Sequence, residues 1–223
     1  MHNTERFLSA QPANNALLWG ARGTGKSSLI HALLNRYAVR GLRLIEMDKR
    51  ALGALPDIVA LVRDAPYRFV LVCDDLSFAE DDASYKELKS VLEGSVFRSS
   101  DNVLIYATSN RRHLIPEHMT DNLAARYDGG ELHESEAVEE KISLSDRFGV
   151  WLSFQPFKQD AYLDVVEHWL KRIGQRHGVA APLTHDARRE ALQWALARGA
   201  RNGRTAQYFA RDWVGRLLIS RPD

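Results

Sequence analysis

The sequence predicts an α/β fold: a five-stranded parallel sheet flanked by helices, followed by a small all-helical domain. Short apolar runs alternate with helical patterns along residues 16–157, and this alternation is typical of parallel βαβ units. A glycine-rich segment separates the first apolar run from the first helical pattern. After Pro156 the strand pattern stops, and only amphipathic helical patterns follow.

Each predicted element has its own signal in the sequence. The strands are predicted at residues 16–19, 42–47, 68–76, 102–110 and 150–157. Helices are predicted between them at residues 26–37, 56–64 and 84–96. The third strand contains five consecutive apolar residues, which favours burial on both faces. Pro56 is suited to the first turn of a helix, where no backbone N–H is needed.

The change of pattern near Phe157 predicts two domains, an α/β domain at residues 1–157 and a helical domain at residues 158–223. Three amphipathic segments make up the second domain: QDAYLDVVEHWLKRI, HDARREALQWALARG and GRTAQYFARDWVGRLLI. A polar stretch at residues 111–143 separates the fourth and fifth strands. It is too long for a plain connection, so we expect a functional loop or an insertion there.

The composition is that of a soluble globular protein, with 223 residues, 45% of them hydrophobic and 26% charged. No apolar run approaches the ~18 residues that a membrane helix needs, so we expect no membrane partner. The single cysteine, Cys73, excludes an internal disulfide and suits a reducing cytoplasm. Its place within the third strand favours an ordinary core residue.

Charge is distributed unevenly along the chain. Residues 1–170 hold 19 basic and 25 acidic side chains, a net charge of −6, whereas residues 171–223 hold 11 and 4, a net charge of +7. A basic carboxyl-terminal part favours an anionic partner, with nucleic acid among the candidates. A solvated, arginine-rich helical surface explains the same asymmetry equally well.

The segment GARGTGKS, Gly20 to Ser27, fits the Walker A pattern G-x-x-x-x-G-K-[ST]. Glycines allow successive backbone N–H groups to point at phosphate oxygens, and the following helix adds its positive amino-terminal dipole. The lysine of this pattern reaches the β- and γ-phosphates, and the hydroxyl after it binds Mg²⁺. The predicted nucleotide-binding residues are Gly20, Gly23, Thr24, Gly25, Lys26, Ser27 and Ser28.

A phosphate loop of this kind needs a carboxylate for the metal ion, usually at the end of a neighbouring strand. Asp74 and Asp75 close the third predicted strand. We expect Asp74 to bind Mg²⁺ together with Ser27, directly or through water, and Asp75 to orient the attacking water. The polar end of a strand is the alternative explanation for this pair.

The segments LLWGARGTGKSS, CDDLSF, YATSNRRHL and EEKISLSDRFG resemble those of AAA+ P-loop ATPases, and more narrowly a bacterial family of predicted AAA+ ATPases of unassigned role. The resemblance covers nearly the whole chain and implies that the helical domain is a lid. It also implies that Asn110 positions the hydrolytic water and that Arg147 is an arginine finger, with Arg126 as a rival. Arg204 matches the lid arginine that senses nucleotide, with Arg201 as the alternative.

The sequence departs from the AAA+ pattern in two places. The acidic pair is Asp-Asp rather than the usual Asp-Glu, so Asp75 is one methylene shorter than the residue it replaces. The Asp-Asp ending also occurs among replication initiators and helicase loaders, which favours work on nucleic acid. About fifteen residues precede the first strand, where AAA+ proteins build part of the adenine pocket. We therefore consider an amino-terminally shortened chain.

Together these features predict an ATPase that hydrolyses ATP with Mg²⁺ to drive a conformational change in a macromolecular partner. An arginine finger acts on a neighbouring subunit, so the resemblance implies a homo-oligomer. The alternative is a nucleotide-gated binding module or scaffold with negligible turnover. A small-molecule kinase also uses a phosphate loop, but it does not account for the ATSN strand, the position of Arg147 or the helical tail.

Overall fold

The structure is a computed structural model that describes residues 1–78, 83–93, 101–112, 114 and 144–219. Five strands are present in these residues: β1 Ala16–Gly20, β2 Leu42–Met47, β3 Arg68–Cys73, β4 Val103–Ser109 and β5 Val150–Phe154. The helices are α1 His2–Leu8, α2 Lys26–Tyr37, α3 Leu55–Val62, α4 Ala83–Glu93, α5 Gln159–Arg176, α6 His185–Ala197 and α7 Gly203–Ile219. Short 3₁₀ turns span Ala38–Arg40 and Lys49–Ala54.

The predicted five-stranded parallel sheet is confirmed, with strand order β2-β3-β4-β1-β5. β3 pairs in parallel with β2 on one side and with β4 on the other, and β4 pairs in parallel with β1. The register places Cys73 of β3 opposite Ala107 of β4, and Trp19 of β1 opposite Ser109. The carboxyl ends of the three central strands therefore lie at the same edge of the sheet.

Burial explains why the sequences of β3 and β4 contain runs of consecutive apolar residues. All seven residues of β4 are buried, as are the last five residues of β3, because helices cover both faces of a parallel sheet. β5 lies at the edge of the sheet and is only partly buried. The apolar pattern of its sequence is therefore weaker than that of the central strands. The strand predicted at residues 150–157 ends at Phe154 in the structure.

α1, a helix of seven residues, was not predicted from the sequence. Its place is fixed by hydrogen bonds rather than by a long apolar face. The Tyr37 hydroxyl donates to the Glu5 carboxylate at 2.8 Å, and this bond lowers the pKa of Glu5 and raises the pKa of Tyr37. Thr4 shares a buried 2.9 Å hydrogen bond with the Tyr106 hydroxyl of β4.

The described structure divides into two compact units, one formed by residues 1–19 and 26–153 and the other by residues 20–25 and 154–223. We call them the sheet unit and the helical unit. The core of the sheet unit is built from side chains of β1, β3 and β4, with Leu17, Leu71 and Ile105 completely buried. The predicted domain division after residue 157 stays a prediction.

The helical unit has a core of its own, formed by α5, α6 and α7. Tyr162, Val166, Ala191 and Phe209 are completely inaccessible to solvent. The buried residues of α6 are all alanines, and small residues also occupy several buried positions of α7, which allows close packing of these helices. Thr184 begins α6 as a side-chain cap, since its hydroxyl accepts a hydrogen bond from Ala187 N at 3.2 Å. No helix within the described ranges is long and apolar enough to cross a membrane.

Two sequence predictions lie outside the described residues. One concerns the polar stretch at residues 111–143, most of which is outside the described ranges. The other concerns Arg126, the rival for the arginine finger.

Cys73 is completely buried at the end of β3, and burial raises the pKa of its thiol to about 12. Because the thiolate is the reactive form, we expect no reaction of the native protein with Ellman's reagent at pH 8. In denaturant, one thiol per chain becomes reactive, since Cys73 is the only cysteine. Rapid labelling of the native protein would contradict this placement of β3.

Candidate functional site

The candidate site lies in the sheet unit, where β3 and β4 end next to the beginning of α2. Asp74 and Asp75 follow the last residue of β3, and Asn110 follows the last residue of β4. Lys26 and Ser27 are the first two residues of α2. In open α/β sheets, ligands bind outside the carboxyl ends of the strands, which is where these five side chains lie.

A continuous chain of hydrogen bonds joins these side chains. Lys26 Nζ donates to Asn110 Oδ1 at 3.1 Å, and Asn110 Nδ2 donates to Asp75 Oδ1. Asp75 N donates to the hydroxyl of Thr108 at 2.9 Å, and that hydroxyl donates to Asp74 Oδ1 at 2.6 Å. Ser27 Oγ closes the chain by donating to the same Asp74 oxygen at 2.6 Å. The contacts therefore run from the lysine back to its neighbour in α2.

Asn110 is suited to its place because an amide has both a donor and an acceptor. Its oxygen accepts from the Lys26 ammonium and its nitrogen donates to the Asp75 carboxylate. An aspartate here has no hydrogen to donate and would set a second negative charge against Asp75. The two neighbours therefore fix both the residue type and the orientation of the amide.

Thr108 is the member of this chain that the sequence analysis missed. It is 1% exposed, and its hydroxyl accepts from one aspartate and donates to the other. One buried hydroxyl on the neighbouring strand thus orients the Asp74 carboxylate and holds the backbone N–H of Asp75. The only signal in the sequence is a hydroxyl residue two positions before Asn110, in a strand that is otherwise mostly apolar.

Asp75 has a left-handed backbone conformation, with φ of +53°. Such a conformation is uncommon outside glycine, although aspartate tolerates it better than most residues. Hydrogen bonds hold the backbone on both sides, since Asp75 N bonds Thr108 Oγ1 and Leu76 N donates to Thr108 O at 2.7 Å. A non-glycine residue in this region costs on the order of 1–3 kcal/mol, and such residues cluster at functional sites.

The beginning of α2 is an electropositive place. Lys26 is only 7% exposed although it carries a charge, and its ammonium donates a hydrogen bond to the neutral amide of Asn110. The first turn of α2 holds no acidic residue that would neutralise the positive end of the helix dipole. A buried ammonium beside a helix amino terminus favours an anion as ligand. Ser28 is exposed in the same turn.

Oxygen atoms suited to a divalent cation lie beside this positive charge. Ser27 Oγ and Asp74 Oδ1 are 2.6 Å apart, and Asp74 is exposed. Hydroxyl and carboxylate oxygens are the ligands that Mg²⁺ prefers, and Mg²⁺ typically takes one or two carboxylates together with phosphate oxygens. Within the described ranges, no group of three or more His, Cys, Asp or Glu side chains could hold a metal ion by itself.

The glycine loop, residues 20–25, belongs to the helical unit. A Cβ atom on Gly20 would lie 2.0 Å from the carbonyl oxygen of Phe154, so only glycine fits there. Gly23 has φ of +75°, and a Cβ atom there would lie 2.8 Å from Cγ of Asn202. The hydroxyl of Thr24, which is 6% exposed, donates to Ala21 O at 2.7 Å and closes the turn.

Asn202 is a second residue that the sequence analysis missed. Its Oδ1 accepts from Thr205 N at 2.8 Å, which caps the beginning of α7, and its Nδ2 donates to Arg22 O at 3.2 Å. Gly203 N donates to Gly23 O at 2.9 Å. The amino terminus of α7 thereby holds the glycine loop through the carbonyl groups of Arg22 and Gly23.

Within the sheet unit, the structure does not bring Arg147 together with the five side chains of the site. Arg147 lines a groove of about 560 Å³ together with Arg68 and Gly149, at the edge where the strands begin. Arg68 is the first residue of β3, whereas Asp74 follows its last, so the six residues of the strand, about 20 Å, separate the two edges. Arg204 and Arg201 are exposed residues of the helical unit, at and just before the start of α7.

The sequence also matches a known protein family. A family profile described as "Protein of unknown function (DUF815)" matches residues 1–217. The chain belongs to the DUF815 family. Among curated proteins, none matches its sequence significantly.

Solved structures show the fold of this DUF815 protein. A replication initiator DnaA bound to AMPPCP and single-stranded DNA is similar, with a TM-score of 0.56 and 14% identity over 94% of this chain and 58% of that one. A DNA replication initiation factor gives 0.54 and 15% over 98% and 58%. The RuvB Holliday junction branch migration motor of Thermotoga maritima gives 0.49 and 12% over 93% and 64%.

The two similarities above a TM-score of 0.5 establish an AAA+ P-loop fold for the DUF815 chain, as the resemblance in its sequence implied. The chain spans 58–64% of the length of these solved proteins. The activities and partners named for these solved proteins are properties of those proteins.

Replacing Thr108 with valine keeps the shape of the side chain and removes the hydroxyl that joins the two aspartates. We expect a loss of about 1–3 kcal/mol in the free energy of unfolding, measured by urea titration, because a charged acceptor and a backbone donor lose their partner. Thr108→Ser, which keeps the hydroxyl, is the matched control and should recover most of the loss. Equal stability of the valine variant and the parent would refute the bridging role of Thr108.

Proposed function

We propose that this DUF815 protein binds ATP and Mg²⁺ and hydrolyses the nucleotide to drive a conformational change in a macromolecular partner. The observation that carries the proposal is the hydrogen-bond chain that joins Lys26, Asn110, Asp75, Asp74 and Ser27 at one edge of the sheet. The Lys26 ammonium, the oxygens of Ser27 and Asp74, and the Asp75–Asn110 pair lie next to one another in this chain, which supports a site for phosphate, metal ion and water. The similar replication initiator DnaA is bound to AMPPCP, an ATP analogue, which supports ATP as the ligand.

Phosphate recognition falls to Lys26 and to the segment that precedes it in the chain. The ammonium of Lys26 neutralises negative charge on the β- and γ-phosphates, and the amino terminus of α2 adds its dipole. The glycines of residues 20–25 leave backbone N–H groups free of side chains that would block a phosphate. Ser28 supplies a further hydroxyl on the exposed side of the first turn.

Ser27 and Asp74 are the residues that would hold Mg²⁺. When bound, the ion neutralises charge on the phosphate oxygens. The Ser27 hydroxyl donates its hydrogen to Asp74, so the two oxygens lie side by side. Thr108 keeps the Asp74 carboxylate in that orientation through its own hydrogen bond.

Asp75 and Asn110 are the residues that would orient the attacking water. Asp75 accepts hydrogen bonds, and the amide of Asn110 fixes its carboxylate from one side. Lys26 also bonds Asn110, so a phosphate that attracts the ammonium competes for this contact. Nucleotide binding and the orientation of Asp75 are coupled through the amide of Asn110.

A nucleotide-gated switch with negligible turnover is the second candidate, and the state of Asp75 favours it. The side chain is one methylene shorter than the glutamate usual in AAA+ proteins, and its carboxylate is bonded to Asn110. With the Asp75 carboxylate bonded to Asn110, the site binds and senses nucleotide but does not activate water efficiently. A single-turnover ATPase assay separates this reading from the first.

Assembly is part of the proposal. Arg147 lies at the edge of the sheet opposite Asp74 in the same sheet unit, so an arginine finger at this position acts on the nucleotide of a neighbouring subunit. A homo-oligomer follows from this role. Arg204, or Arg201 as the alternative, would contact nucleotide from a lid domain formed by residues 158–223. Nucleic acid is one candidate for the remodelled partner.

Replacing Lys26 with alanine removes the buried ammonium, and we expect tight ATP binding to be lost, with at least about a hundredfold rise in Kd by calorimetry. Lys171→Ala, which removes a lysine from the exposed face of α5, is the matched control and should bind as the parent does. Unchanged affinity of the Lys26 variant would contradict the phosphate assignment.

The role of Arg147 predicts that ATPase activity per subunit rises with protein concentration, because an arginine finger contributes about 10³–10⁵ in rate. Arg147→Ala should abolish the rise, whereas Arg50→Ala, at an exposed arginine of a 3₁₀ turn, should keep it. Mixing the Lys26→Ala and Arg147→Ala proteins, each inactive alone, should restore activity, since one supplies the finger and the other the site. A mixture that stays inactive, with activity independent of concentration, contradicts the assignment.

A further inference from the structure

A groove between α5 and α7 in the helical unit has no part in the proposed nucleotide chemistry. It has a volume of about 970 Å³. Its basic side chains are Arg172, Arg176 and His177 from the end of α5 and Arg211 from α7. No acidic side chain lines it within the described part of the chain. We call this surface the basic groove.

The arginines of the basic groove differ from those elsewhere on the helical unit. Arg188, Arg189 and Arg216 each form an ion pair with a carboxylate. In the region that the structure describes, no ion pair joins Arg172, Arg176 or Arg211 to a carboxylate. All three are exposed, so their charges face the groove without internal compensation.

Two features hold these charges in an ordered arrangement. Arg172 and Arg176 are four residues apart on α5, which places them on one face about 6 Å apart along the helix axis. The guanidinium of Arg172 lies over the indole of Trp169, 5.3 Å from the ring centroid. This cation–π contact fixes the charge at the wall of the groove and restrains a flexible side chain before any ligand binds.

Amide side chains complete the lining. Gln175 and Gln207 lie among the arginines, and each offers both a donor and an acceptor. A phosphodiester chain supplies regularly repeated negative charges for guanidinium groups, and its unpaired bases present donors and acceptors to amides. An acidic peptide also supplies negative charges and amide partners, but its carboxylates lack the regular charge repeat of a phosphodiester chain.

We propose that the basic groove binds the backbone of a single-stranded nucleic acid. Arg172, Arg176 and Arg211 contact phosphates, and the glutamines contact base edges. A groove that follows an extended strand is the usual arrangement in proteins that bind single strands without sequence preference. The inference goes beyond the proposed ATPase, because the groove contains none of the residues assigned to nucleotide.

The test measures the binding of a fluorescently labelled oligothymidylate of twenty nucleotides by fluorescence anisotropy, in low salt and without ATP. The full chain carrying Arg172→Gln, Arg176→Gln and Arg211→Gln is compared with the parent. The matched control carries Arg188→Gln, Arg189→Gln and Arg216→Gln, which removes the same charge from the same unit. We expect the groove variant to raise Kd at least about thirtyfold and the control to change it less than about threefold.

Salt dependence gives an independent readout of the phosphate contacts. Single-strand binding loses about 0.7 in the slope of log K against log salt for each phosphate contact removed, so the groove variant should lose about 2. Thermal melting by circular dichroism checks that each variant folds. Arg211→Glu alone, which reverses one exposed charge, should weaken binding in a chain with an otherwise intact surface.

Several results would overturn the inference. The first is an unchanged affinity of the groove variant for oligothymidylate, and the second is an equal loss of affinity in both triple variants. The third is tighter binding of a duplex of the same length than of the single strand. Competition by polyglutamate as effective as that by unlabelled oligothymidylate would assign the groove to acidic peptides instead. Lys26→Ala should bind the oligonucleotide as the parent does, so failure of the ATPase proposal leaves a distinguishable result here.

Discussion

The site depends on how two consecutive carboxylates are held beside one another at the end of a buried strand. Asp74 and Asp75 repel each other, and a strand end that merely exposed them would leave both side chains free to turn away. The buried hydroxyl of Thr108 prevents this, because it donates to one aspartate and accepts from the backbone of the other. Asn110 then attaches the second carboxylate to the ammonium of Lys26. Contacts within the chain itself organise the positive charge, the hydroxyl groups and the carboxylates.

The parallel sheet makes this arrangement possible. Residues 27, 74 and 108 are far apart in sequence, yet the register of β3 against β4 brings the strand ends to one edge. The left-handed backbone of Asp75 is the local cost of turning the chain there, and the hydrogen bonds to β4 offset it. The helical unit holds the glycine loop in a comparable way, through Asn202 and Gly203 at the start of α7.

Most of the fold was predictable from the sequence because its signals are periodic. The buried strands β3 and β4 and the helices α2 and α5 were found from apolar runs and amphipathic spacing, since burial selects those residues. α1 was missed because Glu5 and Thr4 hold it through single hydrogen bonds, which leave no period. Lys26 was predicted from the Walker A pattern and Asp74 from its place at the end of a strand. Thr108 and Asn202 act through contacts that form only when the strands and helices are packed.

A crystal structure with an ATP analogue and Mn²⁺ tests the central claim most directly, since the anomalous signal of manganese locates the ion. The account predicts one strong peak at coordination distance from Ser27 Oγ and the carboxylate of Asp74, with Lys26 against the terminal phosphates. In that complex the Asn110 amide should still contact Asp75. A bound analogue whose metal lies away from both Ser27 and Asp74, or a nucleotide held elsewhere on the chain, would contradict the account.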